Sequence, residues 1–243
     1  MKQKILFLLN GPSRDSTLID AHFESANLDV DYYWAYNNEF PGSLDKYGAV
    51  FLSGSPHGAY DDVEFIHKEH DLVRTVASRG LPILGVCYGS QLLASALCGF
   101  DQVFRRSSCD VGYHNLSRSN ETRNDAIAKD LVPNFPMFVW HNDEVRSDHP
   151  DMVILASSEN CPNQIWRYKD KNIWGIQGHP EVTKNAAANW FENRRDRLEK
   201  DGVDVDDLIF RADNASNSKT LLSNFATVCR TELSTDYVAV DHS

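Results

Sequence analysis

Three short runs of uninterrupted apolar residues set the terms for this chain: "KILFLLN" at its start, "YGAVFLSG" from Tyr47 and "LPILGV" ending at Val86. A strand that is apolar at successive positions has to be covered on both faces, which is the situation inside a parallel sheet. The segments between the runs have helical character. "STLIDAHFESA" follows the first, and "LDVDYYWA" then alternates like a further strand. "DVEFIHKEHDLVRTVASRG" follows the second, with Asp61 and Asp62 near its start and Gly80 at its end. "SQLLASALCG" follows the third and closes at Gly99. Strand–helix alternation of this kind predicts an α/β fold, a mostly parallel central sheet flanked by helices.

Beyond Gly99 the texture changes. "FDQVFRRSSCDVGYHNLSRS", "FPMFVWHNDEV" and "MVILASSE" read as strands with little helix between them. "QIWRYKDKNIWGIQGHPE" reads as a hairpin, two aromatic strands around a polar turn. From Val182 the pattern is helical through "TKNAAANWFENRRDRLEKDG", "DVDDLIFRADN" and "SKTLLSNFATVC". The expectation is one domain over residues 1–243, a core to residue 182 with a smaller antiparallel section, and a helical extension over 183–243. "STDYVAVDHS" at the end reads as a loose tail.

Several classes of function are disfavoured. The net charge is −11 and the pI is near 5.2, so neither nucleic acid nor an anionic membrane surface is an expected partner. No apolar run is long enough to cross a bilayer, and "LLNGP" leads into charged residues without a signal-peptide cleavage pattern. Five cysteines without a CxxC pair suggest a reducing compartment, hence the cytoplasm, with no metal or cofactor expected.

The chemistry concentrates at "GVCYG". Cys87 stands between Gly85 and Gly89, after an apolar strand and before a helix, the spacing of a nucleophile elbow with sulfur in place of oxygen. Such a turn displays its central side chain at the carboxyl end of a sheet and at a helix N-terminus, where an anion is favoured. On this motif alone, a displayed nucleophile and a buried thiol in a tight turn are both open. A thiolate nucleophile needs a base, and the base an orienting group. His67, His70, His149 and His242 sit in polar surroundings and read as surface residues. His179 closes an aromatic strand in "GHPE", where Pro180 biases it toward extended backbone. Glu181, two residues on, then lies on the same side as the ring and can hold one tautomer. A solvated strand-end turn is the alternative.

Taken together, "GVCYGSQLLA", "GHPE", "SGSPHGAYDD" and "VWHNDEV" resemble, in the same order, blocks of the class I glutamine amidotransferases, in particular the GMP-synthase-like branch. The resemblance implies Cys87 as nucleophile, His179 as general base and acid, and Glu181 as its orienting partner. It implies an oxyanion hole from the backbone N–H groups of Ser55 and Tyr88, and substrate contacts from Gly54, Gln91, Gly112, Tyr113 and His141. The oxyanion loop departs from the family's common Gly-Gly-Pro, reading Gly54-Ser55-Pro56. The activity implied by the resemblance is hydrolysis of the glutamine γ-carboxamide, with ammonia passed to a separate synthetase, since no ATP-binding glycine-rich loop is visible. Two other readings stay open: a self-sufficient hydrolase of another γ-glutamyl amide, and an inactive scaffold. The order Cys, His, Glu argues against an α/β-hydrolase, in which the acid precedes the histidine.

Overall fold

A computed structural model describes residues 4–12 and 17–235. The strands in chain order are β1 (Lys4–Leu8), β2 (Val30–Tyr33), β3 (Tyr47–Leu52), β4 (Ile83–Val86), β5 (Val103–Arg118), β6 (Asn134–Val145), β7 (Met152–Ser157), β8 (Ile165–Tyr168) and β9 (Ile173–Ile176). The helices are α1 (Thr17–Ser25), α2 (Glu64–Ser78), α3 (Tyr88–Leu97), α4 (Lys184–Glu192), α5 (Arg195–Lys200), α6 (Val205–Arg211) and α7 (Thr220–Thr235).

Among the described residues the nine strands belong to one sheet, ordered β2-β1-β3-β4-β9-β8-β7-β5-β6. The half built from the apolar runs is parallel, with β4 joined directly to β9. The other half is antiparallel, and the expected hairpin is β8–β9, with Ile165 opposite Ile176. The mixed α/β architecture read from the sequence is therefore the observed one, and the pairing of β4 with β9 sets the carboxyl ends of the "GVCYG" and "GHPE" strands side by side.

Burial follows the pleat. In β1, Ile5 and Phe7 join one core cluster, with Phe23 of α1 and Phe225 of α7, while Leu6 and Leu8 join another, with Phe65 of α2 and Leu92 of α3. Successive side chains point to opposite faces, so both faces need a helical layer. A third cluster packs Phe138 of β6 against Ala187 and Phe191 of α4, Leu198 of α5 and Val205 of α6.

Three local expectations are corrected. The helix foreseen from Thr183 to Gly202 is broken, because Arg194 leaves the helical region at φ −123°, ψ 16°. The Arg195 side chain then ties the pieces together, bonding Glu192 of α4, Glu199 of α5 and Asp206 of α6. His70, foreseen at the surface, is buried, tilted onto the Phe100 ring with Nε2 3.4 Å from Ser95 Oγ. Most of the foreseen tail, residues 236–243, lies outside the described residues, and α7 reaches Thr235.

Candidate active site

The turn from β4 into α3 is as tight as its glycines imply. A Cβ added at Gly85 would overlap the Gly89 carbonyl, and one added at Gly89 would overlap the Leu52 carbonyl. Between them Cys87 adopts φ 54°, ψ −110°, a region that side-chain-bearing residues rarely enter. Its N–H is anchored to the Ile176 carbonyl of β9 at 2.7 Å. Strain of this kind persists where surrounding structure fixes it, and here it turns the thiol toward a cleft. The side chain is nearly buried, and Sγ lies 3.8 Å from the Trp140 carbonyl. As residue 88 opens α3, its peptide N–H has no intrahelical acceptor.

His179 arrives from the neighbouring strand end. Its N–H donates to the Phe138 carbonyl at 2.7 Å, and Val182 N–H returns to its own carbonyl at 3.2 Å, closing a turn around Pro180. The ring stands edge-on to Trp190 and tilts onto Phe138. Nδ1 pairs with Glu181 Oε1 at 2.8 Å, with both side chains only 12% and 10% exposed. The remaining nitrogen, Nε2, is left for Cys87. Burial pushes the ring's pKa down, but the charges of Glu181 and Cys87, and hydrogen bonds to both, more than reverse that, leaving it well above the ordinary histidine value. Gly54 completes the enclosure: a Cβ there would sit 3.7 Å from His179 Cε1 and 3.8 Å from Cys87 Cβ.

The three side chains open into a cleft of about 490 Å³, within the range of small-molecule sites. Of the residues foreseen from the sequence, Cys87, His179, Glu181, Gly54, Ser55, Gln91 and His141 line it. Gly112 and Tyr113 do not. Gly112, at φ +127°, faces Leu208 of α6, and Tyr113 packs on Phe138. The Tyr88 ring is also absent from the lining, being buried in the core. His141 forms wall: Nδ1 is 3.0 Å from the Asp143 carbonyl and Nε2 faces Asp110 at 3.4 Å. Gln91 Nε2 is committed to the carbonyl of Asp143 at 3.0 Å and to Gln177 at 3.3 Å.

Residues not foreseen from the sequence also line the cleft: Trp140, Asp143, Trp190 and the arginines 105, 194 and 197. Asp143 accepts from the Tyr60 hydroxyl at 2.8 Å and pairs with Arg105 at 3.4 Å. The Arg194 guanidinium lies over the Trp140 ring, 5.4 Å from its centre. Among the described residues no cluster of side chains suits a metal ion, and no helix is long and apolar enough to cross a membrane.

The chain is similar to known proteins in sequence and in fold. The family model described as "Glutamine amidotransferase class-I" matches residues 7–196. GMP synthase [glutamine-hydrolyzing] of Porphyromonas gingivalis is 30% identical over 178 residues, covering 73% of this chain and 33% of that protein. The enzyme of the same name from Cronobacter sakazakii is 32% identical over 139 residues, covering 55% and 25%. The chain therefore spans at most about a third of the length of these curated relatives. Among solved structures, a glutamine amidotransferase from Thermotoga maritima superposes with a TM-score of 0.79 at 24% identity, covering 96% of this chain and 99% of that one. A glutamine amido transferase from Methylobacillus flagellatus gives 0.70 at 19% identity, covering 98% and 93%. At these identities the structural likeness speaks to the fold alone.

Proposed function

The chain belongs to the class I glutamine amidotransferase family, and from that premise we propose that it hydrolyses the γ-carboxamide of glutamine through Cys87. The observation that carries this reading is the His179 ring held between the Cys87 thiol and the Glu181 carboxylate at the wall of the cleft. In the first step the Cys87 thiolate attacks the amide carbon, and the carbonyl π-pair moves onto oxygen. The peptide N–H groups of Tyr88 and Ser55 receive that oxyanion. Each such donor is worth about 3 kcal/mol in the transition state. Imidazolium at His179 gives its Nε2 proton to the nitrogen as the C–N bond breaks, and ammonia leaves a γ-glutamyl thioester. Neutral His179 then takes a proton from water, hydroxide adds to the thioester carbon, and collapse expels the thiolate with glutamate as product. Glu181 keeps its pairing with Nδ1 throughout, orienting the ring and stabilising the charged form.

The curated relatives carry in their name both glutamine hydrolysis and GMP synthesis, and this chain corresponds to about a third of them. We assign the hydrolytic half-reaction to that third, with ammonia passed to a separate synthetase in the cytoplasm. A second reading, direct cleavage of a larger γ-glutamyl amide, draws support from Arg194 and Arg197 in the cleft lining. Among the described residues neither has an acidic partner within salt-bridge distance, and both could meet a carboxylate on the leaving amine. Assays of the purified chain on glutamine and on γ-glutamyl dipeptides divide the two. Faster turnover of dipeptides would replace the first reading by the second, and no turnover of either, even with cell extract added, would favour an inactive scaffold.

The covalent step has its own test. A diazoketone analogue of glutamine should add one equivalent of mass to the peptide carrying Cys87 and spare the other four cysteines. Labelling spread across the cysteines, or none in a protein that turns over glutamine, would defeat the thioester route.

Glu181→Gln gives a prediction with a sign. The Glu181 charge is the largest of the effects raising the His179 pKa. Without it the imidazolium loses its proton at lower pH, so the alkaline limb of the kcat/KM profile moves to lower pH. At neutral pH the rate should fall by about tenfold or more. An unmoved alkaline limb would show that Glu181 does not act on the ring.

A further inference from the structure

Glu69 is the most anomalous side chain outside the cleft. It projects from the middle of α2, in a stretch that reads as a charged surface, yet it is 0% exposed. An unpaired carboxylate could not be held there. Burial pushes its pKa up to about 8, against the pull of the hydrogen bond from Tyr88 and of the nearby Asn10 amide, so at neutral pH it is predominantly the neutral acid.

Its two partners lead to the two walls of the proposed oxyanion hole. The Tyr88 hydroxyl donates to Glu69 Oε2 at 2.9 Å. Tyr88 follows Cys87, and its own N–H is one proposed donor to the oxyanion. Asn10 holds the other wall: its N–H donates to Ser53 Oγ at 2.9 Å and its side-chain amide to the Ser53 carbonyl at 3.3 Å. Ser53 leads directly into Gly54 and Ser55, the loop that carries the second proposed donor. Glu69 Oε1 and Asn10 Oδ1 are each buried with no hydrogen-bond partner, and Asn10 lies close enough to Glu69 to act on its carboxyl. The proton of a neutral Glu69 carboxyl is a donor of the kind Asn10 Oδ1 lacks.

The geometry points to Glu69 as a positioning residue: its buried carboxyl clamps Tyr88 and Asn10 together, and through them fixes the spacing between the two backbone N–H groups that receive the oxyanion. It touches neither substrate nor Cys87. The clamp bears on the transition state, because a donor displaced by a fraction of an ångström still lets the ground-state amide bind but no longer meets the oxygen as charge develops. This inference rests on the assignment of Tyr88 and Ser55 as the hole.

The test compares Glu69→Gln, Glu69→Ala and Tyr88→Phe in the full chain, with glutamine as substrate. A Gln amide can accept from Tyr88 and donate to Asn10 Oδ1, so Glu69→Gln should stay within about threefold of wild type in kcat. Glu69→Ala and Tyr88→Phe should each lower kcat by about tenfold or more, with KM changed less than about twofold. Alkylation of Cys87 by iodoacetamide, which needs the thiolate but no oxyanion hole, should proceed at the wild-type rate in all three. Folded Glu69→Ala or Tyr88→Phe protein with wild-type kcat would overturn the inference. So would a parallel loss of alkylation, or a Glu69→Gln variant as impaired as the alanine. If Glu69→Ala does not fold, Tyr88→Phe carries the same readout. Failure of the parent reading looks different, because Cys87→Ser would then retain activity.

Discussion

Cys87→Ser should leave a folded protein that releases glutamate from glutamine at least about a thousandfold more slowly than wild type. The substitution changes one atom, the atom on which the proposed mechanism turns. Sγ makes a weak contact to the Trp140 carbonyl and faces the His179 ring at the cleft wall, and neither contact ties elements of the fold together. The backbone strain at φ 54° is the same for either residue. Thermal midpoints should therefore agree within about 2 °C. What is lost is the anion. A serine hydroxyl holds its proton far more firmly than a thiol, so the charge on residue 87 that helps keep His179 protonated disappears. The hydroxyl would have to be deprotonated during attack, by a ring already turned into an acid by Glu181. Glutamate production by Cys87→Ser within tenfold of wild type, in protein freed of host glutaminase, would remove Cys87 from the mechanism.

How far the sequence could be read depended on whether local geometry or tertiary packing decided the outcome. Cys87 and the nearness of His179 to Glu181 were legible because the constraint is local: glycines at fixed offsets force the elbow, and the short spacing around Pro180 sets Glu181 beside His179, although through a turn closed by Val182 rather than through the extended chain foreseen. Gly112 and Tyr113 were misplaced for a physical reason. The pairing of β5 with β6 shifts register between Arg105 and Asp110. Each such shift can reverse which side chains face inward, and no residue pattern marks it. Trp140 and Asp143 were missed on the partner strand of that same irregular ladder. Glu69 and His70 were hidden differently. "HKEHD" on α2 has the composition of a solvated face. Only the arrival of Tyr88 and Ser95 from α3 makes burial of those groups tolerable.

Gly89→Ala should be among the most damaging single substitutions in the chain, although it adds one methyl group. The new Cβ would lie inside the contact distance of the Leu52 carbonyl oxygen, a backbone atom held in β3. A flexible side chain could move aside, but Leu52 is paired in register with Gly85 of β4, so it cannot retreat without breaking that ladder. Nor can α3 lift away, because Cys87 N–H is fixed to Ile176 and the helix packs into an apolar layer through Leu92 and Leu93. Overlap against fixed backbone places the cost at about 4 kcal/mol or more, a large part of the stability of an ordinary domain. Gly42→Ala is the matched control. A Cβ there meets nothing within 4 Å, and its stability in urea should lie within about 0.5 kcal/mol of wild type. Equal urea midpoints for the two variants would mean that the elbow can relax, and an elbow that relaxes could not hold Cys87 in its strained conformation. The same closeness of β3, β4 and α3 that leaves no room for a methyl group is what aims the sulfur at the His179 ring.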